Sequence, residues 1–459
     1  MHSLTSRTIP TTERRRGVSA AELDALSEGR DRVIDLLRIV SLIVVVAGHS
    51  IMLTVAIDDL HSASGIRLGN MLGDVPALQP VTWLLQILPL FFFAGAAAAT
   101  LGWRSGADGH TPGQWLFARS QRLLRPVAWY LLVGVVALAV LAYTGQGAAA
   151  DVVARLSVQL LWFLGAYLLV LAVVPFLQRI STAREVVVAL AACWGATAVI
   201  DALRLTIGPA ALGNINFLTV WSIPAGLGIA YAKRLLTTRA AALMAVAAFV
   251  VNVLLVAVGP YEMSLVTVPG QHLSNMSPPS LLLAGHAIVL CGLAIALRRA
   301  LAAIVERPRV WWWVAMGNRG AMTLYLWHLP VLALIIVGGH AIGVDRSPQS
   351  AGYPLVIVIE TALLLAAMVP VVLALSPLEN RPIPWWDAPV ARHTQRARDF
   401  LVLTLLVVVA ISTLMVARHG LVGDGRWWLL LAMAAALGAR TVVAQFGQTS
   451  PPIRRSSLP

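Results

Sequence analysis

The sequence predicts an all-α, polytopic transmembrane helical bundle: a core of ten helices followed by two more near the C-terminus. Three observations carry this prediction. Of 459 residues, 58% are hydrophobic and 12% charged, against about 45–50% and about 25% in an average soluble domain. The apolar residues gather in runs close to the about 20 residues that a helix needs to cross a bilayer core. The basic residues collect in alternate connections between those runs, as cytoplasmic loops do. Mean hydropathy is +0.79, so a cytoplasmic globular protein, a disordered chain and a disulfide-stapled secreted domain are all excluded.

In chain order the runs are 33–56, 80–103, 124–144, 157–177, 185–206, 217–232, 238–258, 279–298, 311–338, 353–375, 400–417 and 426–446. The weakest candidates are the run at 217–232, which is short, and the last two. Alternating strand patterns are absent, which leaves a transmembrane barrel unsupported. Irregular backbone cannot face lipid, so the runs must be helices. The first 32 residues are polar and carry Arg14, Arg15 and Arg16. The run that follows is too long for a signal-peptide core and lacks a small-residue cleavage site. It reads as an uncleaved first helix with the N-terminus inside.

Charge sets the orientation. The chain holds 34 Lys and Arg against 21 Asp and Glu, a net charge of +13, and Lys233 is its one lysine. In a soluble protein this balance would suggest nucleic acid; here it reads as positive-inside topology. Inside connections carry Arg104, Arg119, Arg122 and Arg125, then Arg179 and Arg184, then Lys233, Arg234 and Arg239, then Arg298, Arg299, Arg307 and Arg309, then Arg381, Arg392, Arg396 and Arg398. Outside connections carry Arg67, Arg155 and Arg346, with none in 259–278; Arg418 and Arg426 fit least well. The reading is a multi-pass protein of the cell (cytoplasmic) membrane with both termini cytoplasmic.

The expected divisions are a polar N-terminus (1–32), a ten-helix core (33–376), a Pro-rich cytoplasmic linker (377–399), two further helices (400–446) and a cytoplasmic tail (447–459). No connection is long enough for a soluble domain of about 50 residues. The chemistry must therefore sit in the bundle or its short loops. No internal repeat is evident, which weakens a transporter built from inverted repeats. Cys193 and Cys291 fall inside apolar runs and suggest neither a disulfide framework nor a metal site.

Ionisable groups within a span are costly and mark functional sites by default. The first helix holds Arg38 and, eleven positions later, His49. That step is close to three turns, so both project from one face, roughly 16 Å apart along the axis. Asp35, one turn before Arg38, could pair with it. Alone, Arg38 would be a snorkelling anchor and His49 a hydrogen-bonded packing residue. Their shared face makes them a candidate pair. His286 and Glu360 also lie in apolar runs, where interior hydrogen bonding is the simplest account. Asp201 and Arg204 are spaced for an i,i+3 pair or could face an acceptor. His49, His286 and His328 stand on separate runs with no acidic cluster, so no metal site is indicated. There is no phosphate-binding loop or dinucleotide fingerprint.

Asp35-Leu36-Leu37-Arg38 followed by His49 resembles the first-helix signature of the membrane acyltransferase-3 family. Further stretches resemble family patterns in the same order. These are Phe91-Phe92-Phe93-Ala94-Gly95; the basic loop with Arg119, Arg122, Arg125 and Pro126; Trp221 to Gly228; and Ser274-Asn275-Met276-Ser277-Pro278-Pro279-Ser280. They continue with Asn318 and Met322-Thr323-Leu324-Tyr325-Leu326-Trp327-His328, and with Glu379 to Pro382. Pro224-Ala225-Gly226 and Asn380 depart from the family pattern. The resemblance spans roughly residues 30–390.

The resemblance implies an O-acyltransferase that moves an acyl group, often acetyl, from cytoplasmic acyl-CoA to a hydroxyl of an extracytoplasmic carbohydrate or glycolipid. It implies no permanently bound cofactor, membrane lipid as the surroundings, and no nucleic-acid partner. On that basis His49 is the expected base or nucleophile, and Arg38 would hold the donor or polarise its carbonyl. Arg119, Arg122 and Arg125 would take the CoA phosphates, or serve only as positive-inside charge. Asn318, Tyr325, His328 and Glu379 are expected around the substrates. Asn318 could instead cap a break near Gly317 and Gly320, Tyr325 could simply pack, and Trp327-His328 could belong to an aromatic belt. The rival reading is a transporter or flippase for a glycan or a lipid-linked substrate.

Overall fold

The computed structural model describes residues 30–57, 65–105, 111–390, 395–421 and 423–444. Arg14, Arg15, Arg16, Arg392 and the tail from 447 lie outside the described residues, as do the side chains of Arg67 and Arg104. Among the described residues eleven helices are long and apolar enough to cross a membrane, or twelve with the bent pair counted as one span. The chain is an all-α, multi-pass membrane protein. Strand is confined, among the described residues, to one antiparallel hairpin, β1 (Leu53–Ile57) with β2 (Ile66–Asn70), paired from Leu53↔Asn70 to Ile57↔Ile66.

The first span, α1 (Arg32–Met52), starts at Asp31, whose carboxylate accepts from the Val33 and Ile34 amides at 3.0 and 3.3 Å. This satisfies two of the donors that a helix start leaves open. After the hairpin come α2 (Met71–Asp74), a 3-10 turn (Pro76–Val81), α3 (Thr82–Leu85) and α4 (Leu88–Ser105). The third span, α5 (Pro112–Tyr143), corrects the sequence reading. It begins twelve residues before the apolar run at 124, so Arg119, Arg122 and Arg125 stand on helix and not in a loop. The cause is local: Thr111 and Gln114 form a reciprocal capping box, with Pro112 at the first helical position.

The chain continues through α6 (Gly147–Gln159), α7 (Leu161–Leu177), α8 (Ala183–Thr206), α9 (Asn216–Ala232) and α10 (Thr238–Ala257). Helix α9, the short run of the sequence, is the axis of the bundle. Eighty-three per cent of its apolar window is buried, against 17% for α10. Its close approach to α4 depends on Gly228, where a Cβ would collide with the Phe93 carbonyl. Nearby, Phe92 stacks on Trp221 with centroids 4.4 Å apart. Then follow α11 (Leu281–Ala296), bent by 63° into α12 (Arg298–Val305), and α13 (Pro308–Arg319), which stops at Gly320 before α14 (Ala321–Ala341). The apolar run at 311–338 is thus a surface helix joined to a span.

Helix α15 (Tyr353–Glu379) continues through Pro370 and Pro377, so the expected linker begins only after Glu379. The last spans are α16 (Arg396–His419) and α17 (Gly425–Ala444). They pack against the rest of the bundle. A Cβ at Gly165 of α7 would meet the Ala410 carbonyl of α16 at 2.6 Å. Asp399 accepts from the Gly113 amide at 2.8 Å and from the Thr111 hydroxyl at the start of α5. Arg440, 2% exposed, donates through Nε to the Trp385 carbonyl at 2.8 Å.

Candidate functional site

His49, near the far end of α1, meets His328 of α14: Nδ1 and Nε2 lie 2.9 Å apart, with ring planes at 16°. The tautomers follow from the surroundings. His328 Nδ1 lies 2.8 Å from the Tyr325 carbonyl and 3.2 Å from the Leu324 carbonyl, both acceptors only. His328 must therefore carry its proton on Nδ1, which leaves Nε2 as an acceptor. His49 then donates from Nδ1, and its own Nε2 keeps a free lone pair. His328 is fully buried behind His49, while His49 is half-buried and lines a cavity of about 220 Å³.

That cavity is walled by Trp162, Phe163, Tyr325, Gln86 and Gln159. Its cover is the Ser274–Ser280 turn, which places Met276 and Ser277 over it. Asn275 fastens the turn by donating to the Glu262 and Ser264 carbonyls at 2.7 and 2.8 Å, and it accepts from Ser280 at 2.6 Å. The Tyr325 hydroxyl is committed to the Leu160 carbonyl, so it is the ring that this residue offers the cavity. Gln86 donates to the Leu265 carbonyl at 3.3 Å and lies 3.1 Å from Met276 Sδ.

Arg38 is absent from the His49 cavity. It stands near Tyr167 of α7, as does Arg119. Tyr167 rests on Gly95, where a Cβ would strike its hydroxyl. Arg119 stacks over Trp115 at 4.1 Å and comes within 3.1 Å of a Cβ built at Gly102. Asp35 takes Arg30 as its partner at 2.9 Å, and the expected Asp35–Arg38 pair is not formed. The expected cluster of three arginines is dispersed. Arg122 is exposed, and Arg125 pairs with Asp387 at 2.8 Å and donates to the Glu379 carbonyl at 3.1 Å.

The Glu379 carboxylate, 3% exposed, accepts from Thr323 at 2.6 Å and from Trp327 Nε1 at 2.5 Å. It thereby clamps the turn of α14 that carries His328. Asn318 donates to the Asp35 carbonyl at 2.8 Å and to the Val314 carbonyl at 2.9 Å, tying α13 to α1.

A family model described as an acyltransferase domain matches residues 31–378 of the chain. The chain belongs to the membrane acyltransferase-3 family. It is a multi-pass membrane acyltransferase, and the match covers α1 to nearly the end of α15, leaving α16 and α17 outside. No curated protein and no solved structure matches the chain.

The remaining buried charges of this acyltransferase are paired away from the His49–His328 dyad. Arg346 holds Glu360 with Nε 2.9 Å from both carboxylate oxygens. His286 Nε2 donates to the Gln86 carbonyl at 3.0 Å. Asp201 pairs with Arg204 at 3.0 Å and also accepts from Asn216, Tyr261 and the Leu281 amide at 2.8, 3.0 and 2.8 Å. Sequence reasoning missed Tyr167, Gln86 and Gln159. Each is a polar group within or beside an apolar run, and that was the available signal.

Proposed function

We propose that this acyltransferase transfers an acyl group, acetyl in the simplest case, from cytoplasmic acyl-CoA to a hydroxyl of an extracytoplasmic carbohydrate or glycolipid. The observation that carries the reading is the free Nε2 lone pair of His49 beside a cavity, with His328 fixing the tautomer. As general base, His49 Nε2 takes the proton of the acceptor hydroxyl while its oxygen attacks the thioester carbonyl. The carbon–sulfur bond breaks, and the departing thiolate recovers the proton from His49. The imidazolium formed in between is stabilised by its Nδ1–H bond to neutral His328. Attack by Nε2 itself, giving an acyl-histidine, uses the same lone pair.

Arg38 stands roughly 16 Å down α1 from His49, beyond reach of the reacting carbonyl. Its role is to hold the donor's polar arm, with Arg119 and Tyr167 beside it and Arg122 at the exposed end. Arg125 supports the site through Glu379 and Asp387. The catalytic core is residues 33–379, with 1–32 and the linker after Glu379 cytoplasmic, α16 and α17 appended, and both termini on the cytoplasmic side of the cell membrane.

The test is acetyl-CoA consumption by purified protein in liposomes, comparing wild type with His49→Ala. The expected result is consumption by wild type and its loss in the variant. Solute movement across the liposome with acetyl-CoA intact would overturn the reading in favour of a transporter.

A further inference from the structure

A second, larger cavity opens where α1 begins. It has a volume of about 960 Å³ and lies among the start of α1, the ends of α4 and α9, and the α11–α12 bend. Five arginines line it: Arg30, Arg32, Arg234, Arg298 and Arg299. Only two carboxylates, Asp31 and Glu306, face them. Asp31 is already engaged, accepting from the Val33 and Ile34 amides and from the Tyr231 hydroxyl at 3.0 Å. Arg30 is neutralised by Asp35, and Arg32 lies over Trp311 at 4.7 Å. Among the described residues no carboxylate pairs with Arg234, Arg298 or Arg299.

Two further features set these arginines against local preference. Arg234 has φ 56°, the single positive φ of a non-glycine among the described residues. It occupies the left-handed position after α9, where glycine is the favoured residue. Its amide bonds the Tyr231 carbonyl at 3.0 Å and the next amide bonds that of Ala230 at 2.9 Å. Arg298 and Arg299 stand in the first turn of α12, where the helix dipole favours anions over cations.

We propose that this cavity binds clustered phosphate groups, and that its occupant in the working enzyme is the nucleotide end of the acyl-CoA donor. The proposal rests on the acyl-CoA reading above and locates the donor's phosphate pole. Arg32 and His49 are separated by about 26 Å of α1, so the occupant must be long, with phosphates at one end and the reactive carbonyl at the other. Between these poles lie Arg38, Tyr167 and Arg119. The cavity wall at Leu101 adjoins Gly102, against which Arg119 rests. Guanidinium forks suit phosphate oxygens at the pole, and the thin arm would thread past the inner arginines.

The experiment measures binding of CoA, 3′-dephospho-CoA and S-acetylpantetheine to the purified full-length protein in nanodiscs of phosphatidylcholine. It compares wild type with Arg234→Gly and with the Arg234→Gly/Arg298→Gln double variant. Arg234→Gly is the folding control, because glycine suits the left-handed position; its Tm should equal or exceed that of wild type. The expected result is wild-type affinity in the order CoA, dephospho-CoA, S-acetylpantetheine. The double variant should lose at least about tenfold for CoA and approach the affinity of S-acetylpantetheine. A parallel arm replaces part of the lipid with phosphatidylglycerol. If CoA affinity is unchanged in the variants, the proposal is wrong, and it is equally wrong if only association with anionic lipid falls. Arginine-dependent CoA binding without acetyl-CoA consumption by wild type would sustain the cavity assignment and sink the acyl-transfer reading.

Discussion

His49 and His328, on α1 and α14, meet through Nδ1 and Nε2 at 2.9 Å, and the backbone carbonyls of Leu324 and Tyr325 decide which of the two imidazoles donates. The arrangement leaves one unprotonated nitrogen, on His49, at the cavity. A hydrogen-bonded partner behind a base both orients the ring and stabilises its charged form.

His328→Ala should therefore lower kcat by about 10²-fold, the range of a misplaced general base, while KM for acetyl-CoA changes little. His328→Gln, which can still offer an acceptor to His49 Nδ1–H, should recover part of that loss. Steady-state kinetics on both variants checks this, and equal inactivity of the two would count against the orienting role.

Glu379→Ala removes both acceptors at once. Thr323 and Trp327 both donate to the native carboxylate, so both lose their partner. The expected destabilisation is about 1–3 kcal/mol, read by thermal unfolding in detergent. A fall in kcat with little change in KM should accompany it, because Trp327 precedes His328.

Asp387→Asn leaves Arg125 with a weakened partner at side chains 11% and 14% exposed. Loss of a mostly buried ion-pair partner costs about 3 kcal/mol. Tm should fall, while KM for acetyl-CoA remains near wild type. A selective rise in KM would instead place Arg125 at the donor.

Tyr261 lies in the loop after α10 and donates to Asp201 at 3.0 Å. Burial, then the Asp201 carboxylate, pushes its phenol above the ordinary value of 10.0. A folded-state value raised in this way means that the stabilisation is present below pH 10 and is lost as pH rises beyond it. Alkaline unfolding curves of wild type and Tyr261→Phe should thus converge above pH 10, with the variant less stable below it.

Much of the bundle was legible because a membrane span is a local property. Twenty apolar residues in a row state their environment whatever surrounds them, and the residues of the capping box at Thr111 and Gln114 stand in the sequence as plainly. The early start of α5 was nevertheless missed, since a search for apolar runs passes over a helical turn that carries arginines. The partner of Asp35 lies beyond the reach of spacing for a different reason. Spacing along α1 allowed Arg38 as its partner, but the backbone entering the helix brings Arg30 to it, and Arg38 stands near Tyr167 instead.

The sequence by itself determined that this chain lives in the membrane, that its helices are many, and that Arg38 and His49 are exceptional within them. It also carried the family resemblance, because ordered motifs are read along the chain. Only the tertiary structure decided that His328 backs His49, that Glu379 clamps α14 and that Arg125 belongs to Asp387. It also gathered arginines from separate segments around one cavity. These relations join residues on different helices. Apolar periodicity says that a helix is buried but not which neighbour it meets, and hydrogen-bond partners are chosen only once packing has set helices side by side.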